Sequence, residues 1–381
     1  MPVLSARFHL VVRAVALLPW FGCCAEEPGA EPVVYEIRRA VLPDAAQPDA
    51  RPPKPVWSDP LPAPAYCPLR DDVAERLRCQ FSKESGLPLV YHAVIAGDAE
   101  WLRELLAAGL TADDLTPAGD TPLCAAARLG GLECVRVLLL AGANPDLAGS
   151  GGHPPLAVAS LRRPVEVIDA LLVAGAQAEA RFASPVDMAV LGQIPFNDLR
   201  NHLASDRGVT ALMACAARGD VEAVVALMRS GAKTYTTTKK FHRTALDFAA
   251  VQRFVFLMRV LLGRPPDAEP DILITVDLSS QSAWLMKDGR VIERTVISTG
   301  RAGYGTPAGR YVITDKHPVH KSTLYHVEMP WFMRLNCSAI GLHSGYVTGR
   351  PASHGCIRLP AAMAKKFYSL TKVGDEVQIV R

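Results

Sequence analysis

The sequence predicts a two-part fold, an all-α helical repeat solenoid over residues 67–266 followed by a mostly β domain over residues 271–381. Three observations carry this. Gly109, Gly142 and Gly175 each end an apolar run and fall 33 residues apart, a period at which small helical units stack into solenoids. Arg264-Pro265-Pro266-Asp267-Ala268-Glu269-Pro270 then reads as a linker, because clustered prolines and charges interrupt helix and strand alike. Beyond it the apolar period drops to two, as in Ile272-Leu273-Ile274-Thr275-Val276-Asp277, the alternation of a half-buried strand.

Each repeat opens on a turn-plus-helix start: Leu87-Pro88-Leu89, Thr121-Pro122-Leu123, Pro154-Pro155-Leu156, Ser184-Pro185-Val186, Thr210-Ala211-Leu212 and Thr244-Ala245-Leu246. A small-residue helix such as Cys124-Ala125-Ala126-Ala127 follows. A leucine-rich helix such as Val135 to Leu140 and an Ala-Gly-Ala ending complete the unit. Small side chains let inner helices approach closely, and the leucines close the core. The pattern resembles the ankyrin repeat, with five good or fair repeats and a degenerate one at Gln193 to Ser205. The resemblance implies a surface for a protein partner; a rigid spacer is the plainer alternative. Asp71 to Phe81 is expected to form an N-terminal capping helix.

Strands are expected near 271–278, 283–287, 291–299, 309–315, 324–328, 338–343 and 375–380. Asp288-Gly289 reads as a hairpin turn and Pro360 to Leu370 as the domain's helix. A β-sandwich with a helix accommodates these elements.

The chemistry concentrates in Ser353-His354-Gly355-Cys356-Ile357-Arg358-Leu359 and the nearby Gly341-Leu342-His343-Ser344. A thiolate attacking a carbonyl needs a base for its proton and donors for the oxyanion. Two imidazoles, a cysteine, a guanidinium and a permissive glycine supply these parts. With Thr306-Pro307-Ala308-Gly309-Arg310-Tyr311 and the strands upstream, residues 271–381 resemble the L,D-transpeptidase catalytic domain, the YkuD-type family. The resemblance implies Cys356 as nucleophile and His343 as general base, its ring oriented by the backbone carbonyl of Ser344. Gly355 would offer an oxyanion-hole N–H. Arg358, His354, Ser353 and Tyr304 are the substrate-binding candidates; Arg358 in a surface salt bridge and Ser353 as a structural hydroxyl are the alternatives. Tyr311 reads as groove or packing, Trp331 as lid or core. A cysteine of ordinary pKa, about 8.5, must be lowered to react well at neutral pH.

The implied donor is the tetrapeptide stem of peptidoglycan, cleaved before its terminal D-alanine. An amine resolves the thioester in a transpeptidase, and water in a carboxypeptidase or a hydrolase that releases proteins from peptidoglycan. A non-catalytic scaffold that binds peptidoglycan or protein is the alternative from another class. No cofactor is implied. His343, His354, Cys356 and Cys337 could be imagined around zinc, but no paired Cys-x-x-Cys accompanies them, so no metal is expected.

Composition sets the wider frame. The chain has 381 residues and a net charge of +3, with no basic-aromatic stripe, which argues against nucleic acid. Basic Met1 to Arg7, apolar Phe8 to Phe21 and small Gly22 to Ala25 read as a signal peptide, 1–25, with Cys23 as an alternative lipidation site. Residues 26–66 form a Pro-rich linker. Export to the periplasm or cell envelope of a bacterium is expected. Of nine cysteines, Cys67 and Cys79 could pair in an oxidising compartment. Cys124, Cys134 and Cys215 read as buried and inert.

Overall fold

The structure, a computed structural model, describes residues 86–381 apart from 163, 164, 185, 266–270 and 324. The signal segment, Cys23, the Pro-rich linker, the capping helix and the Cys67–Cys79 pairing lie outside the described residues.

Among the described residues six helix pairs make the array: α1 (Leu89–Ala96) with α2 (Ala99–Ala107), α3 (Pro122–Leu129) with α4 (Leu132–Leu140), α5 (Pro155–Ala159) with α6 (Val165–Val173), α7 (Met188–Leu191) with α8 (Asn197–Ser205), α9 (Ala211–Arg218) with α10 (Val221–Arg229), and α11 (Ala245–Val251) with α12 (Val255–Leu261). The starts have a local cause. The hydroxyl of Thr121 accepts from the Cys124 N–H at 3.0 Å, and Thr210 and Thr244 cap α9 and α11 the same way, satisfying a donor the first turn leaves free. Cys124 to Ala127 are fully buried between neighbouring repeats, as are Cys134 and Cys215.

The fourth pair is the degenerate one, its first helix only four residues long. Arg218 at the end of α9 consequently reaches back past it. Its guanidinium donates to the Ser160 carbonyl at 2.7 Å and to the Arg162 carbonyl, and pairs with Asp220.

The C-terminal domain is an eight-stranded mixed sheet in the order β3-β2-β1-β8-β4-β5-β6-β7. Its strands are β1 (Ile272–Asp277), β2 (Ser282–Lys287), β3 (Arg290–Val296), β4 (Gly309–Lys321), β5 (Glu328–Leu335), β6 (Gly341–Ser344), β7 (Ile357–Leu359) and β8 (Glu376–Val380), with helix α13 at Ala361–Leu370. The chain beyond β3 returns to β7 through reciprocal bonds between Ser298 and Arg358, so the sheet curls around one core. Ile274, Val276, Leu285, Ile313, Leu342, Ile357, Leu359 and Phe367 fill it.

Three strand expectations change. Strand β7 (Ile357–Leu359) was not expected. Of the strand expected at 324–328, Tyr325 to Val327 lie in a turn closed by the Ser322 N–H on the Val327 carbonyl. Strand β5 was not expected at Glu328–Leu335, where Val319 pairs with Pro330 and Trp331 has a φ of 57°. Proline weakens a strand reading, since it lacks the ladder donor.

The two parts also meet away from the segment 264–270, of which residues 266–270 lie outside the described residues. Strand β4 serves both parts. Tyr311 and Ile313 enter the sheet's core, while Val312 between them is buried in the core of the array. Arg259 of α12 meets Glu376 of β8 at 2.9 Å, and Glu376 also holds Arg310 at 2.6 Å. Arg264 meets Asp375 at 2.6 Å. The last repeat and the sheet therefore share apolar and ionic contacts.

Candidate active site

Strands β6 and β7 run parallel with His343 beside Arg358 and Leu342 beside Ile357. Paired residues share a face and alternate residues oppose. Leu342, Ile357 and Leu359 therefore point into the core and His343 and Arg358 to the other side. Cys356 immediately precedes β7, and the Arg358 charge acts on both its thiol and His343.

His343 is 7% exposed. Its Nδ1 lies 2.7 Å from the Ser344 carbonyl, which can only accept, so Nδ1 carries the proton and Nε2 is left able to accept one. Burial pushes the imidazole down to about 4, helped by the nearby Arg358 and His320 charges and opposed by the Ser344 carbonyl. The ring is neutral at pH 7.

Burial raises the Cys356 thiol. The Gly341 N–H and the Arg358 and Arg334 guanidiniums oppose that rise. The Ala339 carbonyl lies 3.6 Å from Sγ, placed to accept the thiol proton. The lowered thiol expected from the sequence is thus not the resting state. The thiol and the His343 imidazole therefore both rest neutral. Gly341 admits no side chain, because a Cβ would lie 2.6 Å from both the Phe332 ring and the Met333 carbonyl.

The nucleophile loop is held by its own hydroxyls. Ser353 Oγ donates to the Cys356 carbonyl at 2.5 Å and accepts the Gly355 N–H at 3.1 Å. Gly355 has a φ of 115°, a region effectively reserved for glycine. Its N–H is spent on Ser353, which corrects the expectation that it stands ready for an oxyanion. Thr306 Oγ1 accepts from the Gly300 N–H at 2.9 Å and donates to the Gly355 carbonyl at 2.7 Å. Sequence reasoning quoted Thr306 within a motif without giving it this task; its buried hydroxyl beside a proline was the available signal.

His354 is exposed. Arg301 donates to its Nε2 at 2.7 Å, and the rings of Tyr304 and Tyr325 lie 4.8 and 4.6 Å away. Arg301 and Tyr325 were not singled out from the sequence, since no spacing links them to His354. Arg358 makes no ion pair among the described residues. Tyr311 is core, its hydroxyl on the Pro307 carbonyl at 2.8 Å. Trp331 packs against Tyr368 of α13, 5.4 Å between rings. Cys337 lies against the array, so the four imagined zinc ligands do not converge, and no metal-binding cluster occurs among the described residues.

Residues 271–379 match the family model of the L,D-transpeptidase catalytic domain, and residues 83–181 that of ankyrin repeats in three copies. The C-terminal domain is an L,D-transpeptidase catalytic domain. Solved structures similar to the chain include an L,D-transpeptidase from Stackebrandtia nassauensis, 33% identical over 34% of this chain and 65% of that one, with a TM-score of 0.28. Another is L,D-transpeptidase 3 from Mycobacterium tuberculosis in complex with a faropenem-derived adduct. It is 21% identical over 29% of this chain and 61% of that one, with a TM-score of 0.28. The chain thus spans less than two thirds of either L,D-transpeptidase. No curated protein matches the chain.

Proposed function

We propose that the protein is a cysteine L,D-transpeptidase acting on peptidoglycan stem peptides in the bacterial envelope. The observation that carries this is the buried, neutral His343, fixed by the Ser344 carbonyl on the face shared with Arg358, two residues beyond Cys356, in a domain of this family. The Cys356 sulfur attacks the carbonyl before the terminal D-alanine as its proton passes to His343 Nε2. The carbonyl electrons move onto oxygen, where the Cys356 N–H is the donor that the loop's own bonds leave over. Collapse expels the D-alanine amine, which takes the proton from His343 and leaves a thioester on Cys356. An acceptor amine then attacks the thioester, His343 takes its proton, and the thiol is regenerated.

Arg358, with no carboxylate partner of its own, suits a substrate carboxylate in a two-point contact. His354, Tyr304 and Ser353 are assigned to the loop and its rim, where they shape the groove. The ankyrin array supports interaction with a protein. Its partner would determine where in the envelope the enzyme acts, after export directed by residues 1–25.

The test is intact-mass spectrometry after incubation with a tetrapeptide stem or a carbapenem. An acyl adduct mapping to Cys356, and missing in Cys356→Ala, is expected. An unmodified Cys356 under both reagents would rule the reading out. Adding an acceptor amine separates cross-linking from hydrolysis.

A further inference from the structure

The turn between β5 and β6 touches the array at one end and the nucleophile at the other. Asn336 and Cys337 both have left-handed backbones, with φ of 47° and 52°. Such a turn favours Asn-Gly, and a side chain at the second position costs about 1–2 kcal/mol of strain. A cysteine stands there instead. Residues held in such strain point to a role outside the turn itself.

Its surroundings suggest that role. Cys337 packs against the apolar core of the array. The charge of Asp247, in the last repeat, acts on its thiol, which burial first and that carboxylate second push up to about 12. The same carboxylate caps α11, accepting from the Thr244 N–H and hydroxyl at 2.8 Å each. Behind the turn, Asn336 exchanges two bonds with Val312, at 2.8 and 3.0 Å, and the Cys337 N–H reaches Thr314 Oγ1 at 3.1 Å.

At the turn's far end, the Ala339 carbonyl meets Cys356 Sγ at 3.6 Å. Ile340 borders Gly355, 3.7 Å from where a Cβ there would sit. The N–H of Gly341, two residues beyond Ala339 in the chain, helps hold the same thiol down. Few bonds in the turn are free to absorb a shift: the Leu335 N–H holds the Ile340 carbonyl, and Ser338 is bonded to Leu335 and Ile340.

We infer that Asp247 and Cys337 are positioning residues for Cys356: the last ankyrin repeat anchors the turn whose Ala339 carbonyl and Gly341 N–H set the place and protonation of the nucleophile. The array is thereby part of the reactive unit. The inference deepens the proposed function and rests on Cys356 being its nucleophile.

The test uses the full-length chain and iodoacetamide, which reports thiolate formation at Cys356 whatever the natural substrate is. Alkylation of Cys356 is followed by peptide mapping between pH 6 and 10. If the anchor is lost, the Ala339 carbonyl shifts from the sulfur and the support of the Gly341 N–H for the thiolate weakens. Cys337→Ala and Asp247→Asn are therefore expected to move the profile up by about half a pH unit, roughly threefold slower alkylation near neutrality. Cys337→Ser keeps a donor toward Asp247 and is expected to restore the wild-type profile. Unchanged profiles in both Cys337→Ala and Asp247→Asn would overturn the inference. So would a Cys337→Ser profile as displaced as that of Cys337→Ala. If Cys337→Ala does not fold, Asp247→Asn, which keeps the shape of the cap, decides alone. A displaced profile without any acyl adduct from stem peptide or carbapenem would retain the positioning role and reject the transpeptidase reading.

Discussion

Two polar regions of the catalytic domain, both largely out of water, are built on opposite rules. Where the sheet meets the array, charge is paired: Arg259 and Arg310 share Glu376, and Arg264 holds Asp375. Around Cys356, Arg358 has no carboxylate among the described residues, and His343 is kept neutral by burial. A charge held partly out of water without a partner carries a cost. Its toleration on one face, while the other balances its charges, teaches that the second face serves the fold and the first is kept for an incoming group.

The comparison can be broken from either side. On the reactive face, His343→Gln removes the base and is expected to lower acylation by roughly 10²–10⁴-fold. The fold should persist, which stopped-flow acylation and circular dichroism together would check. On the paired face, Glu376→Ala removes the carboxylate shared by Arg310 and the buried Arg259. It is expected to cost about 3–5 kcal/mol in a denaturant titration, while any folded fraction still acylates. If the two variants exchanged phenotypes, the division would be wrong.

Smaller effects sharpen the same contrast. Arg358→Met should raise the KM for a carboxylate-bearing stem about tenfold, a loss of about 1.4 kcal/mol, with little change in stability. The His343 ring should titrate nearer its ordinary range once the neighbouring cation is gone, a shift that NMR can follow. The pH dependence of the wild type follows from the depressed imidazole. Between about pH 6.5 and the folded value of about 4, the unfolded chain binds the proton that the folded chain refuses. This contribution is absent above pH 6.5 and opposes folding increasingly as pH falls through that window. Melting temperatures across the window should fall more in the wild type than in His343→Gln.

Much of this was legible in the sequence, for identifiable reasons. Threonine caps, prolines and a 33-residue glycine spacing are local signals, so the helix pairs and even the degenerate repeat could be read directly. The Ser353-to-Leu359 run carried its residue types in plain order. Three features depended on tertiary contact. The N–H of Gly355 was assigned to the oxyanion because no local pattern reveals that Ser353 Oγ already takes it. The thiol of Cys356 is raised by burial, which no spacing reports. The junction reads as a linker because Arg264-Pro265-Pro266 is local, whereas Val312, Arg259 and Glu376 meet only when β4 and β8 fold against α12. The coupling through Cys337 was hidden for the same reason, since Asp247 is 90 residues away along the chain.

The measurement that bears most directly on the central claim is the acyl adduct itself. Full-length protein is incubated with a tetrapeptide stem, and the modified peptide is mapped by mass spectrometry. The account predicts one thioester, on Cys356, accompanied by loss of D-alanine, absent in Cys356→Ala and much slower in His343→Gln. An adduct on any other cysteine, or release of D-alanine that survives Cys356→Ala, would contradict it.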